Sequence, residues 1–309
     1  MNSIICIAGP TASGKTALAV ALARQLHGEV VSCDSMQVYR RMDIGTAKPT
    51  VEERQGIIHH MIDVAEPEED FSVSRYCAMA TPIVEDILAR GNTAIIAGGT
   101  GLYMDSLIRG SDFAPFPSTG VREKLEARAD REGTDALLRE LRQIDPEAAA
   151  RIHDRRRLIR ALEVYYETGE TITAHDRRTR AIPPRFTPLW LGLDFESRQT
   201  LYSRIDRRVT IMLEQGLMGE IEALLNSGIP ENCTAMQAIG YKEFVDALEG
   251  RCTLQQAADL VRQSSRRYAK RQLTWFRRNG AMHWLVRRDD QSGEEILAQA
   301  RRLITNFDN

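Results

Sequence analysis

The chain has 309 residues, 43% of them hydrophobic and 27% charged, a composition typical of a globular protein with one large or two modest domains. The formal net charge is only −2, so a nucleic-acid partner would have to be bound by local basic patches. Five scattered cysteines argue against a zinc site and a disulfide framework, and no apolar run reaches the ~20 residues of a membrane span, so we expect a cytoplasmic protein.

A glycine-rich loop lies near the N-terminus, between a predicted strand, Ile4–Ala8, and a predicted helix that begins with Ala17–Ala23. Strand, loop and helix in this order are the context of the phosphate-binding P-loop. Its glycines permit a tight turn, its backbone N–H groups and Lys15 attract phosphates, and the Thr16 hydroxyl suits Mg²⁺. The predicted phosphate-binding residues are Gly9, Pro10, Thr11, Ala12, Ser13, Gly14, Lys15 and Thr16. The motif is common in ATP-binding proteins and does not specify what carries the phosphate.

Two further strands end in residues that suit a binding site. Val30–Cys33 is followed by Asp34, and Thr93–Ala97 is followed by the glycine-rich segment Gly98–Tyr103. With the helix-like stretch Val73–Arg90 between them, this alternation predicts a parallel sheet whose strand ends share one crevice. Asp34 then either faces the P-loop across that crevice or caps a turn. His59–Val64 is a candidate for another strand.

A helical region follows, and it predicts an insertion into the sheet domain. Pro115 and Pro117 mark its start, Pro183 its end, and no strand pattern occurs between them. The predicted helices are Val121–Glu132, Thr134–Gln143 and Arg155–Thr168. We therefore predict a P-loop NTPase-like α/β core of residues 1–114 and 184–309, with an all-helical insertion domain of residues 115–183.

The C-terminal part returns to the mixed pattern. It contains the predicted strands Leu189–Leu193 and Met282–Val286 and the predicted helices Ser203–Leu213, Thr253–Arg277 and Glu294–Ile304. Between Arg262 and Arg288 there are nine Lys and Arg residues and no Asp or Glu. Such a run, with aromatic residues between the charges, favours contact with a polyanion, although a solvated basic face is the simpler alternative.

Taken together, these motifs resemble the tRNA dimethylallyltransferase (tRNA isopentenyltransferase) family. The match covers nearly the whole chain in order. It includes Gly9–Thr16, Asp34–Tyr39, Gly45–Pro49, His59–Asp63, Gly98–Tyr103, Arg157–Gly169, Arg204–Asp206, Gln237–Glu243 and Tyr268–Arg277. The chain ends soon after the core of the family, without the C-terminal zinc finger of eukaryotic relatives, which implies the bacterial type.

The resemblance implies an activity and its partners. A dimethylallyl group would move from dimethylallyl diphosphate to the N6 amine of adenosine 37, just 3′ of the anticodon, in tRNAs that read codons beginning with U. Mg²⁺ would assist, the P-loop would hold the diphosphate, and Lys15, Thr16 and Arg208 would stabilise the leaving group. Asp34 would be the general base. We expect a monomer.

The resemblance also implies residues that contact the tRNA. The anticodon stem-loop would present a flipped base to a pocket lined by Thr100 and the segment Asp34, Ser35, Met36 and Gln37. The surrounding RNA would be held by Arg122, Arg156, Arg157, Leu158, Ile159, Arg160, Gln237, Gly240, Tyr241 and Lys242.

The alternative function is that of a P-loop kinase acting on a nucleotide or small metabolite. In that case the arginines of the insertion would clamp phosphates, and the basic C-terminal run would be plain surface. The absence of a convincing second Mg²⁺-binding aspartate besides Asp34 argues against a kinase. A guanine-nucleotide switch lacks support as well, because the chain has no Asn-Lys-x-Asp motif.

Overall fold

The computed structural model describes residues 3–110 and 119–308, and its six strands form one sheet in the order β3-β2-β4-β1-β5-β6. The strands are β1 (Ser3–Ala8), β2 (Gly28–Cys33), β3 (His59–His60), β4 (Thr93–Gly98), β5 (Thr187–Phe195) and β6 (Met282–Arg287). Every neighbouring pair is parallel. The carboxyl ends of β1, β2 and β4 therefore meet at one edge, as the sequence predicts.

Fourteen helices surround or follow these strands in the described part of the chain. In the first half they are α1 (Lys15–Leu26), α2 (Val51–Arg54), α3 (Val73–Ala89), α4 (Gly101–Arg109), α5 (Val121–Glu132), α6 (Thr134–Ile144) and α7 (Pro146–Arg151). In the second half they are α8 (Arg155–Thr168), α9 (Ile172–Ala181), α10 (Arg198–Glu214), α11 (Leu217–Asn226), α12 (Tyr241–Leu248), α13 (Leu254–Phe276) and α14 (Gly293–Asp308). None of them combines the length and hydropathy needed to cross a membrane.

Helices pack on both faces of the sheet, because its central strands are apolar on both sides. Every residue of β2 is buried, and β1 is buried from Ile4 onward. One core cluster joins β1, β4 and β5 to α1 and α14 through residues such as Ile7, Leu22 and Leu191. Continuous apolar strands of this kind are typical of parallel sheets with helices on both sides. The predicted parallel α/β fold is confirmed.

The chain divides into two compact units, Met1–Gly110 with Arg185–Asn309, and Ser111–Pro184. The described part of the second unit is helical, and α5, α6, α7 and α8 enclose their own core around Leu137, Leu141 and Leu162. Gly169 ends α8 in a left-handed conformation, as the sequence predicts. The predicted boundary at Pro115 and Pro117 lies outside the described residues.

Some predicted elements differ from the structure. The strand expected at His59–Val64 is only two residues long, because Met61 and Asp63 adopt positive φ angles that end pairing. Helix α10 begins at Arg198, five residues before the predicted Ser203, and Ser197 caps it by accepting a hydrogen bond from the Thr200 N–H. The capped start lies directly after β5, so the helix begins as soon as the chain leaves the sheet.

Candidate active site

The P-loop forms a cradle of backbone N–H groups at the end of β1. Gly9 has a φ of 151°, and a Cβ there would lie 2.7 Å from the Leu193 carbonyl oxygen. Gly14 is the N-cap of α1 at φ 95° and provides no side-chain cap, so the first N–H groups of the helix are left for a ligand. The buried Ser13 Oγ has no hydrogen-bond partner among the described residues. A loop with unsatisfied donors fits an anion.

Two residues from distant helices hold this loop from outside. Gln272 on α13 accepts a hydrogen bond from the Thr11 N–H (2.9 Å) and donates one to the Gly99 carbonyl (3.0 Å). Arg204 on α10 donates to the Ala12 carbonyl at 2.9 Å. Gln272 is a residue of the site that the sequence does not predict. The helix that carries Gln272 can be predicted from the sequence. Its contacts with Thr11 and Gly99, about 260 and 170 residues earlier, depend on the tertiary fold and cannot.

A first cavity of about 510 Å³ opens beside the P-loop. It brings together the four predicted catalytic residues, Lys15, Thr16, Asp34 and Arg208. The cavity is also lined by Thr11, Ala12, Ser13, Gly14, Gln37, Thr46, Ala47, Glu53, Ala97, Gly98, Arg204, Arg207, Ile211, Tyr268 and Gln272. Four cationic side chains face two carboxylates, so the cavity is suited to a polyanionic group such as a diphosphate.

Two cations of the first cavity, Lys15 and Arg208, are partly buried and repel each other, whereas Arg204 and Arg207 are exposed. The pKa of Lys15 is lowered to about 8, chiefly by burial; the charge of Asp34 opposes this shift, and the positive charge of Arg208 adds to it. Burial likewise lowers the pKa of Arg208, and Asp34 again opposes the effect. An added anion would relieve both effects. Before a ligand binds, the Lys15 ammonium also donates to the Pro10 carbonyl at 2.7 Å.

Asp34 combines the two roles that the sequence left open. Its Oδ1 accepts hydrogen bonds from the backbone N–H groups of Met36 (2.9 Å) and Gln37 (3.4 Å), which is a capping arrangement. The same side chain lines the first cavity and also a second one. The turn therefore fixes the carboxylate by one oxygen, and no partner of its Oδ2 is found among the described residues.

The second cavity, of about 280 Å³, adjoins the first. The two cavities share Thr11, Asp34, Thr46, Arg208 and Tyr268. Five residues predicted to contact the tRNA line it: Asp34, Ser35, Met36, Gln237 and Gly240. Its remaining wall is largely apolar, with Ile205, Val209, Met212, Ala238, Ile239 and Val261, together with Gly45, Ser265 and Arg271. Asp34 thus lies where a charged cavity meets a more apolar one.

Several residues predicted to contact RNA have other roles in the structure. Leu158 and Ile159 are buried in the core of the second unit, so their side chains pack within the protein. Tyr241 is also buried, with its hydroxyl bonded to Glu220 at 2.6 Å. RNA contact by these three residues stays a prediction.

Gln37 and Thr100 are engaged within the protein. The Gln37 amide accepts from Ser32 Oγ (3.0 Å) and donates to the Thr46 and Ala47 carbonyls at 3.4 and 3.2 Å. Thr100 Oγ1 accepts from the Ser35 N–H at 3.0 Å. Both therefore shape the site by holding the segment after β2. Gln237 and Lys242 are exposed.

The arginines predicted to hold RNA in the second unit differ in their partners. Arg122 lies near Glu126 and Glu163, Arg157 near Asp154 and Arg160 near Glu163, and the neighbouring Arg155 lies near Asp130. Arg156 is exposed and has no carboxylate partner among the described residues. Ion pairs on a surface are weak, so RNA phosphates can compete with the carboxylates for the paired arginines. Arg156 can bind a phosphate without first giving up a carboxylate.

The acid-free basic run of the sequence is partly neutralised in three dimensions. Arg266 makes a two-oxygen contact with Asp206 of α10 at 2.7 and 2.8 Å, and Arg277 lies 2.9 Å from Asp194 of β5. Arg262 pairs with Asp259 one turn earlier. The charges left for a polyanion are then fewer than the sequence indicates, with Arg267 and Lys270 exposed and Arg271 at the second cavity.

No group of three or more His, Cys, Asp or Glu side chains in the described ranges could hold a metal ion by itself. The adjacent histidines bond elsewhere, His60 to Glu29 and His59 to the Ile57 carbonyl. Side-chain oxygens of Thr16, Asp34 and Glu53 line the first cavity. This sparse set fits Mg²⁺, which keeps several waters and is commonly shared with the phosphates of a substrate.

Comparisons with known proteins agree with this geometry. A family model described as IPP transferase matches residues 37–279. The chain is 42% identical over 310 residues to a tRNA dimethylallyltransferase of Acetivibrio thermocellus, covering 99% of both chains. It is 46% identical over 297 residues to that of Caldanaerobacter subterraneus subsp. tengcongensis, covering 95% of this chain and 94% of the relative.

Solved structures show the same likeness. The full-length tRNA isopentenylpyrophosphate transferase from Bacillus halodurans superimposes with a TM-score of 0.75 at 42% identity, over 99% of this chain and 96% of the other. A eukaryotic dimethylallyltransferase acting on tRNA gives a TM-score of 0.84 at 30% identity, over 99% of this chain and 80% of the other.

Proposed function

The chain belongs to the IPP transferase family of tRNA dimethylallyltransferases, and from this premise we propose that it prenylates the N6 amine of adenosine 37 in tRNAs that read codons beginning with U. The donor is dimethylallyl diphosphate, and the products are N6-isopentenyladenosine and diphosphate. The observation that carries the proposal is the pair of adjoining cavities, one charged and one largely apolar, which meet at Asp34.

The first cavity suits the diphosphate of the donor. The P-loop N–H groups and the buried Ser13 hydroxyl supply donors, while Lys15 and Arg208 supply positive charge. Mg²⁺, held by the Thr16 hydroxyl together with the substrate, would offset part of the diphosphate charge. Negative charge develops on the diphosphate as it leaves the allylic carbon. We therefore expect stabilisation of this leaving group to be the largest contribution of these residues to catalysis.

The second cavity suits the acceptor base. Adenine has to leave the stack of the anticodon loop to reach a site of this kind. The N6 amine then forms the new bond to the allylic carbon while the bond from that carbon to the diphosphate oxygen breaks. The leaving oxygen takes the electron pair, and the amine proton passes to Asp34 Oδ2, whose carboxylate is oriented by the two N–H groups bound to Oδ1. A tRNA acceptor is consistent with a cytoplasmic enzyme.

Purified protein, Mg²⁺, tRNA and labelled dimethylallyl diphosphate test this proposal. We expect label to appear in tRNA without any added nucleotide. A parallel reaction with γ-labelled ATP in place of the prenyl donor should transfer nothing. Transfer of the γ-phosphate to any acceptor, or a requirement for ATP, would favour a kinase instead.

A further inference from the structure

One carboxylate outside both cavities collects four hydrogen bonds. Glu220 on α11 accepts from the backbone N–H groups of Asp43 and Ile44, each at 2.8 Å, through its Oε2. Its Oε1 accepts from the Gly45 N–H at 3.2 Å and from the Tyr241 hydroxyl at 2.6 Å. Three consecutive N–H groups directed at one anion form the type of concavity that often holds a phosphate. Here the protein fills it with its own side chain.

The loop that Glu220 holds, residues 42–48, is fixed at two further points. The ring of Tyr241 packs so closely on Gly45 that a Cβ at this position would collide with it. The buried Lys48 ammonium contacts Asp43 (2.5 Å), Asp63 (2.6 Å) and the Tyr39 carbonyl (2.9 Å). A short loop held by so many polar contacts has one defined position, at the expense of chain entropy.

This loop forms part of the wall of the site. Gly45 and Thr46 line the second cavity, and Thr46 and Ala47 line the first. The carbonyls of Thr46 and Ala47 also accept hydrogen bonds from the Gln37 side-chain amide. The oxygen of the same amide accepts a hydrogen bond from Ser32 near the end of β2. A shift of the loop would therefore be transmitted to the segment that begins with Asp34.

We propose that Glu220 is a positioning residue that sets the wall of the second cavity, and thereby the binding of the acceptor RNA, through loop 42–48. The inference rests on the proposed function, in which the second cavity receives the base. The role requires a carboxylate, because four donors converge on two oxygens. A glutamine at this position would have only one acceptor oxygen. Its NH₂ group would face N–H or O–H donors, with which it cannot form hydrogen bonds as a donor.

Glu220→Gln is the isosteric test. Glutamine leaves some of the four donors unsatisfied and so displaces the loop, and we expect the KM for an anticodon stem-loop RNA to rise about tenfold or more. Tyr241→Phe removes one of the four donors, and we expect a rise of about threefold or less. The Kd for inorganic pyrophosphate should stay within about twofold in both variants, because the P-loop supplies its ligands.

Glu29→Gln is the matched control. Glu29 is another buried carboxylate with several hydrogen bonds, but it lines neither cavity. Its loss should lower thermal stability and leave both constants unchanged, since an unfolded fraction alters neither KM nor Kd. Gly45→Ala supplies a second route, because it displaces the loop from Tyr241 with Glu220 intact, and it should raise the KM for the RNA as Glu220→Gln does.

The outcomes separate this inference from the proposed function. A wild-type protein that transfers no label to tRNA contradicts the proposed function itself. Transfer by the wild type, with a KM for RNA within twofold of wild type in Glu220→Gln, overturns only the role of Glu220. An equal rise in the KM for RNA and the Kd for pyrophosphate also overturns it. If Glu220→Gln does not fold, an unchanged KM in Gly45→Ala overturns it.

Discussion

Asp34 holds a turn, and we propose that the same side chain is also the general base. Asp34→Asn keeps an oxygen for the N–H groups of Met36 and Gln37 but removes the basic oxygen that we assign to proton transfer. We expect normal folding and tRNA affinity, with turnover reduced by about 10²–10⁴-fold. Single-turnover kinetics with saturating substrates measure this. Turnover within about threefold of wild type would leave Asp34 only its role in the turn.

Lys15 gives the donor site a pH dependence. Burial, together with Arg208, lowers its pKa to about 8, so the free site holds the ammonium form below that pH. A bound diphosphate favours this form and raises the pKa, so affinity should be constant below pH 8 and weaken about tenfold per pH unit above it. The Kd of inorganic pyrophosphate between pH 7 and 9.5 measures the effect.

Lys15→Arg controls for the titration of the ligand itself. Arginine stays protonated throughout this range, so its profile reports pyrophosphate alone. The difference between the two profiles is the contribution of Lys15. Identical slopes above pH 8 in the two proteins would contradict the role of the Lys15 ammonium in binding.

At the scale of elements, Glu29 ties β2 to its neighbours at the edge of the sheet opposite the site. It bonds Arg90 after α3, His60 in β3 and Asn92 before β4. The hydrogen bond from Arg90 is the largest cause that lowers the pKa of Glu29 to about 2; burial opposes it, and His60 and Asn92 add to the lowering. A lowered carboxylate pKa stabilises the folded protein above the unfolded pKa of 4.5, and this contribution is lost as the pH falls toward 2.

Glu29→Gln should therefore reduce the free energy of unfolding by about 2 kcal/mol at pH 7. We expect less than the full pKa shift implies, because Arg90 is 41% exposed and its charge is screened. The difference between variant and wild type should shrink as the pH is lowered from 5 to 3. Urea unfolding at several pH values measures it, and a difference that does not change with pH would place the stabilisation elsewhere.

Local patterns in the sequence were sufficient to predict the sheet, the P-loop and the position of Asp34. An apolar run followed by glycines or by an aspartate predicts a strand and the binding residues at its end from about ten consecutive residues. Nothing in the neighbouring sequence distinguishes Glu220 from the other acidic residues, of which the chain has 43 in all. Its partners, residues 43–45 and 241, are distant in the sequence. Gln272 was missed for the same reason. The basic run was overestimated because Asp206 and Asp194, its partners, lie some 60 to 80 residues away.

At the scale of the whole molecule, the residues predicted to contact tRNA lie in both units, and the salt dependence of binding can locate the contacts. Each phosphate contact on single-stranded RNA contributes about 0.7 to the slope of log affinity against log salt. On the second unit, Arg156 lacks a carboxylate partner in the described ranges, whereas Arg155 and Arg157 are paired with Asp130 and Asp154. We expect Arg156→Gln to lower tRNA affinity and to reduce the slope by about 0.7, and Arg155→Gln and Arg157→Gln to reduce it by less.

Arg139→Gln is the matched control for this series, because Arg139 is exposed on α6 of the same unit and has no carboxylate partner within the described residues. It removes the same charge outside the Arg155–Arg157 cluster, so we expect the slope to stay unchanged. Equal slopes for Arg156→Gln and wild type would contradict the role of this cluster. The contacts would then be sought on α13, where Lys270→Gln removes an exposed charge of the first unit. A reduced slope in both Arg156→Gln and Lys270→Gln, but not in Arg139→Gln, is the result expected if both units bind one RNA.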